Sequence, residues 1–303
     1  MDKRKVVITG GAGFIGSHLA EAFVAEGYDV HVVDNLFAGV REDVPEGAVF
    51  HEKDILDTEA MREIFSGADT VFHEAARPRI PYSIDYPQES HDANVNGTFS
   101  VLLAARDAKV RRVVYAASSS CYGNQDTLPL VETMIPRPMN PYGLQKHIGE
   151  QYARVFSEVY GIETVSLRYF SVYGPRMRPD GGYALALPKF LALRKNGEAL
   201  PITGDGTQTR DFTHISDIVR ANILAMDSAK VGKGEVINIA AGRNVSMNDL
   251  ADLIGGEKIY IPARLEARDT FGDIRKAKEL LGWEPKVMLE EGLEWLKKER
   301  GIV

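Results

Sequence analysis

The segment from Lys5 to Asp34 limits the fold of this chain more than any other. Lys5-Val6-Val7-Ile8-Thr9 is a short apolar run suited to a buried strand. It leads into Gly10-Gly11-Ala12-Gly13-Phe14-Ile15-Gly16, whose glycines at 10, 13 and 16 are three apart. That spacing serves a tight turn, close approach of backbone to a pyrophosphate, and close packing of a helix on a strand. A helix follows to about Glu26, and then a second strand, 29–33, that ends in Asp34, 18 residues past Gly16. Strand, glycine loop, helix, strand and acid in this order predict a bound dinucleotide. Its phosphates are expected on Gly10, Gly13, Phe14, Ile15 and Gly16, and its adenosine ribose on Asp34 and the adjacent Asn35. A carboxylate there repels a 2′-phosphate, so NAD is expected rather than NADP.

Further apolar runs at 49–52, 70–73, 112–117, 164–168 and 236–240 predict strands, with helical stretches near 58–65, 94–108 and 142–160 between them. The alternation predicts an α/β fold: a doubly wound parallel sheet of Rossmann type, covered on both faces. Ligands of such sheets bind beyond the carboxyl ends of the strands. Thr9–Gly16, Asp34, His73–Ala76, Ser118–Ser120 and Tyr169–Ser171 all follow strands and are expected along one edge. After Phe170 the texture turns loop-like, with Pro175 to Gly182 and the turn Gly204-Asp205-Gly206. Residues 1–170 plus 216–240 are expected to form the NAD-binding domain. Residues 171–215 plus 241–303 are expected to form a smaller C-terminal α/β domain that binds substrate.

The chemistry-bearing pattern is Tyr142-Gly-Leu-Gln-Lys146, 24 residues after Ser118 of the run Ser118-Ser119-Ser120. Asn140 as N-cap and Pro141 as first residue mark the start of a helix, so Tyr142 and Lys146 share one face. A phenol of pKa ~10 is a poor base at neutral pH, and a nearby ammonium favours the phenolate. With a second positive charge, such as an oxidised nicotinamide, the pair predicts a phenol tuned downward for alcohol–ketone proton transfer.

A net charge of −7 argues against general nucleic-acid binding, and no apolar run reaches the length of a membrane span. The chain enters its first strand without a signal-peptide core, and its one cysteine, Cys121, fits a reducing cytoplasm. No metal-ligand spacing stands out, and none of the histidines at 18, 73, 91, 147 and 214 reads as a ligand. Apolar stripes on the two helices, Leu144, Ile148, Tyr152, Val155 and Val159 on one and Val95, Phe99, Leu102 and Leu103 on the other, cover the sheet or form a homodimer seam.

Five separated motifs carry a resemblance: Thr9 to Gly16, Ala117-Ser-Ser-Ser-Cys-Tyr-Gly123, Pro141 to Lys146, Arg168-Tyr-Phe-Ser171 and Thr209-Arg-Asp-Phe-Thr-His-Ile215. Together they resemble the extended short-chain dehydrogenase/reductases, and among them the nucleotide-sugar 4-epimerases, over essentially the whole chain. The resemblance implies bound NAD and a UDP-hexose substrate. By it Tyr142 removes the proton of the sugar 4-hydroxyl with help from Ser118, and Lys146 holds the nicotinamide ribose. It places Asp54 and Ile55 near the adenine, Ala75, Asn94 and Tyr169 near the rest of the cofactor, and Ser119, Ser171 and Lys189 on the substrate. Arg210 and either Arg264 or Arg268 would meet the diphosphate, Glu266 the uridine ribose, and Thr270 would gate space beside the sugar. Small Thr270 and the run from Gly181 to Phe190 suggest room for a 2-acetamido group.

Ser171 departs from the asparagine usual at its position. A 4,6-dehydratase needs an Asp-Glu pair where Ser119 and Ser120 stand, which argues against it. A UDP-glucuronate 4-epimerase or decarboxylase stays open, since Arg77, Arg79, Arg176 and Arg178 can meet a C6 carboxylate. A non-catalytic NAD-sensing module has no need of Ser118, Tyr142 and Lys146 together.

Overall fold

The computed structural model describes residues 3–179, 185–263 and 266–302. The chain opens with β1 (Lys5–Thr9), α1 (Phe14–Ala25), β2 (Asp29–Asp34) and β3 (Val49–Glu52). Next come α2 (Thr58–Phe65), β4 (Thr70–His73), α3 (Ile80–Asp85), α4 (Pro87–His91), α5 (Gly97–Asp107) and β5 (Arg112–Ser118). Then follow α6 (Pro141–Tyr160), β6 (Glu163–Tyr169), α7 (Ala186–Asn196), β7 (Leu200–Thr203) and β8 (Thr209–Arg210). The remainder holds α8 (Ile215–Asp227), β9 (Lys233–Ile239), β10 (Val245–Ser246), α9 (Met247–Ile254), β11 (Lys258–Ile261), α10 (Arg275–Leu281) and α11 (Leu289–Arg300).

Seven of these strands form one parallel sheet in the order β3-β2-β1-β4-β5-β6-β9. The α/β, doubly wound expectation from the sequence matches this sheet. Successive side chains of a strand point to opposite faces, and both faces here are covered. Val6, Ile8, Phe72 and Val114 face a core shared with α1, α8 and α10. Val7, Val71 and Val113 face a second core shared with α2 and α5. The helix expected over 94–108 begins with a wide π turn, Asp92–Asn96, and becomes regular only at Gly97.

Helix α6 lies close on β5. A Cβ at Gly149 would fall 2.2 Å from the Tyr115 hydroxyl, so a glycine is required for this approach. Asn140 caps the helix as expected, accepting from the Gly143 amide at 2.9 Å. Deeper in, Glu150 accepts two hydrogen bonds of 2.7 Å from Arg168 of β6, and both side chains are buried. Breaking such a buried pair by removing one partner costs about 3–5 kcal/mol.

A third core joins Tyr173, Phe190, Ile202 and Phe212 to Leu250 and Leu293. Two small sheets belong to this part: β7 runs parallel to β11, and β8 antiparallel to β10. Residues 275–283, expected with the smaller domain, instead join the core of the large sheet. Ala277, Leu281 and the fully buried Trp283 pack there, and the Trp283 indole donates to the Asp217 carbonyl at 2.9 Å. Amphipathic α10 is short and its apolar residues cannot say which core they fill, so the sequence pattern left this return unread.

Candidate active site

A cavity of about 1170 Å³ runs along the carboxyl ends of the strands and under the smaller part. At one end stands the glycine turn. Gly10 has φ +69°, and a Cβ there would meet the Ala75 amide nitrogen at 2.6 Å. A Cβ at Gly16 would fall 2.3 Å from the Gly10 carbonyl oxygen. Gly13 is the N-cap of α1 and supplies no side-chain cap, so the first amides of the helix are left for a ligand in the cavity. This donor set fits a pyrophosphate. Gly10, Gly13, Phe14, Ile15 and Gly16 all line the cavity, as do Asp34, Asn35, Asp54, Ile55 and Ala75.

Asp34 accepts from the amides of Ala12 (3.0 Å) and Leu36 (2.8 Å). Burial raises its pKa, and those two amides and Arg77 oppose the rise. Asn35 donates to Asp54 at 2.8 Å, which joins two predicted cofactor contacts in one wall. The Arg77 guanidinium lies over the Phe37 ring in the same wall.

The opposite end brings together Ser118, Ser119, Ser120, Tyr142, Tyr169 and Ser171. Ser118 ends β5 and is hydrogen-bonded to the Tyr142 hydroxyl. Lys146 lies deeper, 3% exposed, with its Nζ donating to the Ala116 carbonyl at 2.8 Å. Burial lowers the pKa of Lys146 to about 8, opposed by Glu74 and Glu150. The expected downward tuning of Tyr142 does not hold without a ligand. Burial raises its pKa; the Ser118 bond and Arg79 act to lower it, and Glu74 to raise it. Lys146 keeps its charge while bonded to the Ala116 carbonyl, but burial of the phenol outweighs the nearby positive charge, so the second charge expected from an oxidised cofactor is needed to bring it down.

Asn94 does not line the cavity, although expected at the cofactor. It is 1% exposed, accepts from the Arg77 amide at 2.7 Å and donates to Gln145 of α6 at 2.7 Å. Its place is structural: it ties the loop after β4 to the helix of Tyr142. On the substrate side Lys189, Arg210, Glu266 and Thr270 line the cavity. Arg210 pairs with Glu266 at 2.8 Å. Arg268 is 69% exposed and pairs with Asp269 at 3.5 Å, away from the cavity wall. Arg264 and residues 181–184 lie outside the described residues.

Two more residues stand at the reacting end: Glu74, which the sequence reading did not single out, and Arg79, which it named only for a C6 carboxylate. Glu74 follows β4 and accepts from the Tyr169 hydroxyl at 2.8 Å; burial raises its pKa to about 7. Arg79 lines the cavity near Tyr142, and no carboxylate pairs with it among the described residues. By contrast Arg176 is held by Glu21 and Arg178 by Asp43. Only the strand-end rule pointed to Glu74, and that rule marks a segment, not a side chain. No metal-binding cluster and no helix long and apolar enough to cross a membrane occur among the described residues.

The profile of the NAD dependent epimerase/dehydratase family matches residues 6–240. The chain belongs to this family. Members of the NAD dependent epimerase/dehydratase family use the dinucleotide that the glycine turn and Asp34 fit, and NAD is the cofactor here. A putative UDP-glucose 4-epimerase of Methanocaldococcus jannaschii is 37% identical over 96% of this chain and 98% of its own length. The Thermotoga maritima UDP-glucose 4-epimerase, solved with UDP-glucose, is 39% identical with a TM-score of 0.93, covering 97% of this chain and 99% of that one. The Bacillus cereus UDP-glucuronic acid 4-epimerase, solved with UDP-glucuronic acid and NAD, is 32% identical with a TM-score of 0.90, covering 98% and 99%.

Replacing Asp34 by Ala is expected to weaken NAD binding by roughly 10- to 100-fold, the scale of a lost charged hydrogen bond. NADP binding should weaken far less. Fluorescence titration of both dinucleotides checks the pair; an equal loss for both would show that Asp34 does not read the ribose.

Proposed function

We propose that this protein is a UDP-hexose 4-epimerase. It interconverts UDP-glucose and UDP-galactose, and also UDP-GlcNAc and UDP-GalNAc, through a transient 4-keto sugar. The observation that carries this is the convergence of Ser118, Tyr142 and Lys146 at the end of the cavity remote from Asp34. Bound NAD supplies a reversible hydride acceptor. Tyr142 takes the proton of the sugar 4-hydroxyl and later returns it, and Ser118 orients that hydroxyl and the phenol. Lys146 fixes the cofactor ribose and adds positive charge beside the phenol. That charge, with the oxidised cofactor, reverses the upward pull of burial. Arg210, with Glu266 beside it, is suited to the UDP portion by its planar fork. Thr270 is small and at the wall, which suits a 2-acetamido group.

UDP-glucuronate is a second reading, favoured by Arg79. Among the described residues no carboxylate pairs with this guanidinium near Tyr142, which suits an anionic C6 group. The protein is also proposed to form a homodimer through α5 and α6. Their outer faces expose Phe99, Leu144, Val159 and Tyr160 at 40%, 48%, 64% and 50%.

Incubation with UDP-glucose, UDP-GlcNAc and UDP-glucuronate without added NAD, with products separated by chromatography, tests the substrate. Interconversion of the neutral pairs without net NADH is expected; turnover of UDP-glucuronate alone, or release of CO₂, would replace this reading. Tyr142→Phe should keep NAD and lose turnover by roughly 10²- to 10⁴-fold. Undiminished turnover would remove Tyr142 from the mechanism. If the uronate reading holds, Arg79→Ser lowers UDP-glucuronate turnover at least about tenfold more than UDP-glucose turnover. Equal losses count against it. For the dimer, Val159→Arg should convert a two-chain species to one chain in sedimentation equilibrium, and a wild-type monomer would refute the seam.

A further inference from the structure

Glu74 does no work in the proton transfer, yet it is built firmly into the site. Its amide donates to the Thr9 carbonyl at 3.1 Å, which fixes the backbone beside the glycine turn. Its carboxylate accepts from the Tyr169 hydroxyl at 2.8 Å. The fully buried Asn222 donates to that same hydroxyl at 2.8 Å and to the Ile218 carbonyl at 2.9 Å. With Asn222 as its donor, the Tyr169 hydroxyl is oriented to give its own proton to Glu74. The acid is thus held in place from the far side of the cavity floor.

An anion here is unfavourable for Tyr142, whose ionisation Glu74 opposes. Its benefit must fall on positive charge. Lys146 is one such charge, stabilised by Glu74 without a direct bond, since its Nζ is given to Ala116. The sheet order indicates the other. β4 lies between β1, which carries the glycine turn, and β5, which carries Ser118. A dinucleotide held by the amides of α1 and by Asp34 would have its other end toward β4 and β5, where Glu74 lines the cavity.

We propose that Glu74 sets the redox balance of the bound cofactor: its carboxylate favours the positively charged oxidised nicotinamide over the neutral reduced one. Removing the acid leaves only Glu150 to offset the charge of Lys146, which disfavours the cationic form further, so both effects act in one direction. Glu74 is a positioning residue in this scheme, acting on charge without taking a proton from the sugar. The inference rests on NAD and the fold, not on which sugar is turned over.

The test uses holoenzyme with its cofactor retained, equilibrated with a redox dye couple of fixed potential and read by the near-ultraviolet absorbance of reduced nicotinamide. Glu74→Gln keeps the size of the side chain and its acceptor for Tyr169. It should raise the reduced-to-oxidised ratio about five- to tenfold, and tenfold corresponds to ~30 mV for this two-electron couple. Glu74→Asp should return most of the way to wild type. A ratio within twofold of wild type in Glu74→Gln, at equal cofactor content, overturns the proposal. Where that variant loses its cofactor, the ratio is read in Tyr169→Phe, which releases the carboxylate from its anchor. An increase there supports the proposal and an unchanged ratio overturns it. Loss or retention of sugar turnover does not enter the readout, so failure of the epimerase reading is seen separately.

Discussion

The reacting end of this protein depends on how α6 is held against β5 and β6. The buried Glu150–Arg168 pair fixes the middle of the helix to the sheet, and Gly149 lets the helix come down onto Tyr115. Asn140 fixes its start. With those three points set, Tyr142 can only face the cavity and Lys146 can only lie beneath it. A helix held more loosely would leave the phenol and Ser118 free to separate, and proton transfer is steeply sensitive to such displacement. The stability of the ion pair is therefore converted into positional accuracy of a hydroxyl.

The electrostatics of the cavity are divided along its length. Asp34 and Asp54 stand at the adenosine end and helix amides in the middle, while Lys146, Arg79 and Glu74 stand at the reacting end. No single charge decides the protonation of Tyr142. Burial pushes its pKa up, Arg79 and the Ser118 bond pull it down, and Glu74 pushes it up again. Burial dominates, so the phenol stays above its ordinary pKa in the empty cavity. A cationic ligand moves it toward the phenolate, which couples base strength to loading of the cofactor.

Much of this could be read from the amino-acid order. β1, β2, β4, β5 and β6 are short apolar runs whose neighbours are turns, and burial on both faces leaves a strong signal. The glycine turn, Asp34 and Ser118 could be placed along the chain because each ends or follows a strand, and Tyr142 and Lys146 because Asn140 and Pro141 mark the start of their helix. Asn94 was misplaced because its motif marks a position in chain order, whereas its side chain turns inward to Gln145. The pKa of Tyr142 lies above its ordinary value without a ligand because burial outweighs the nearby positive charge, and the depth of that burial is set by elements remote in sequence. Trp283 returned to the large core because Asp217, on a helix far away in sequence, offers its carbonyl to the indole. Such partners are separated by dozens of residues and leave no local pattern.

The third core draws its residues from both sides of β9: Tyr173, Phe190 and Phe212 precede that strand, and Leu250 and Leu293 follow it. The chain thus leaves the large sheet, returns to it as β9 beside β6, and leaves again. Closing the loop from Tyr173 to Leu293 on its own is costly in chain entropy, and a paired β9 shortens it by holding both ends. Pairing of one edge strand in the large sheet therefore also lowers the entropic cost of the core that roofs the cavity.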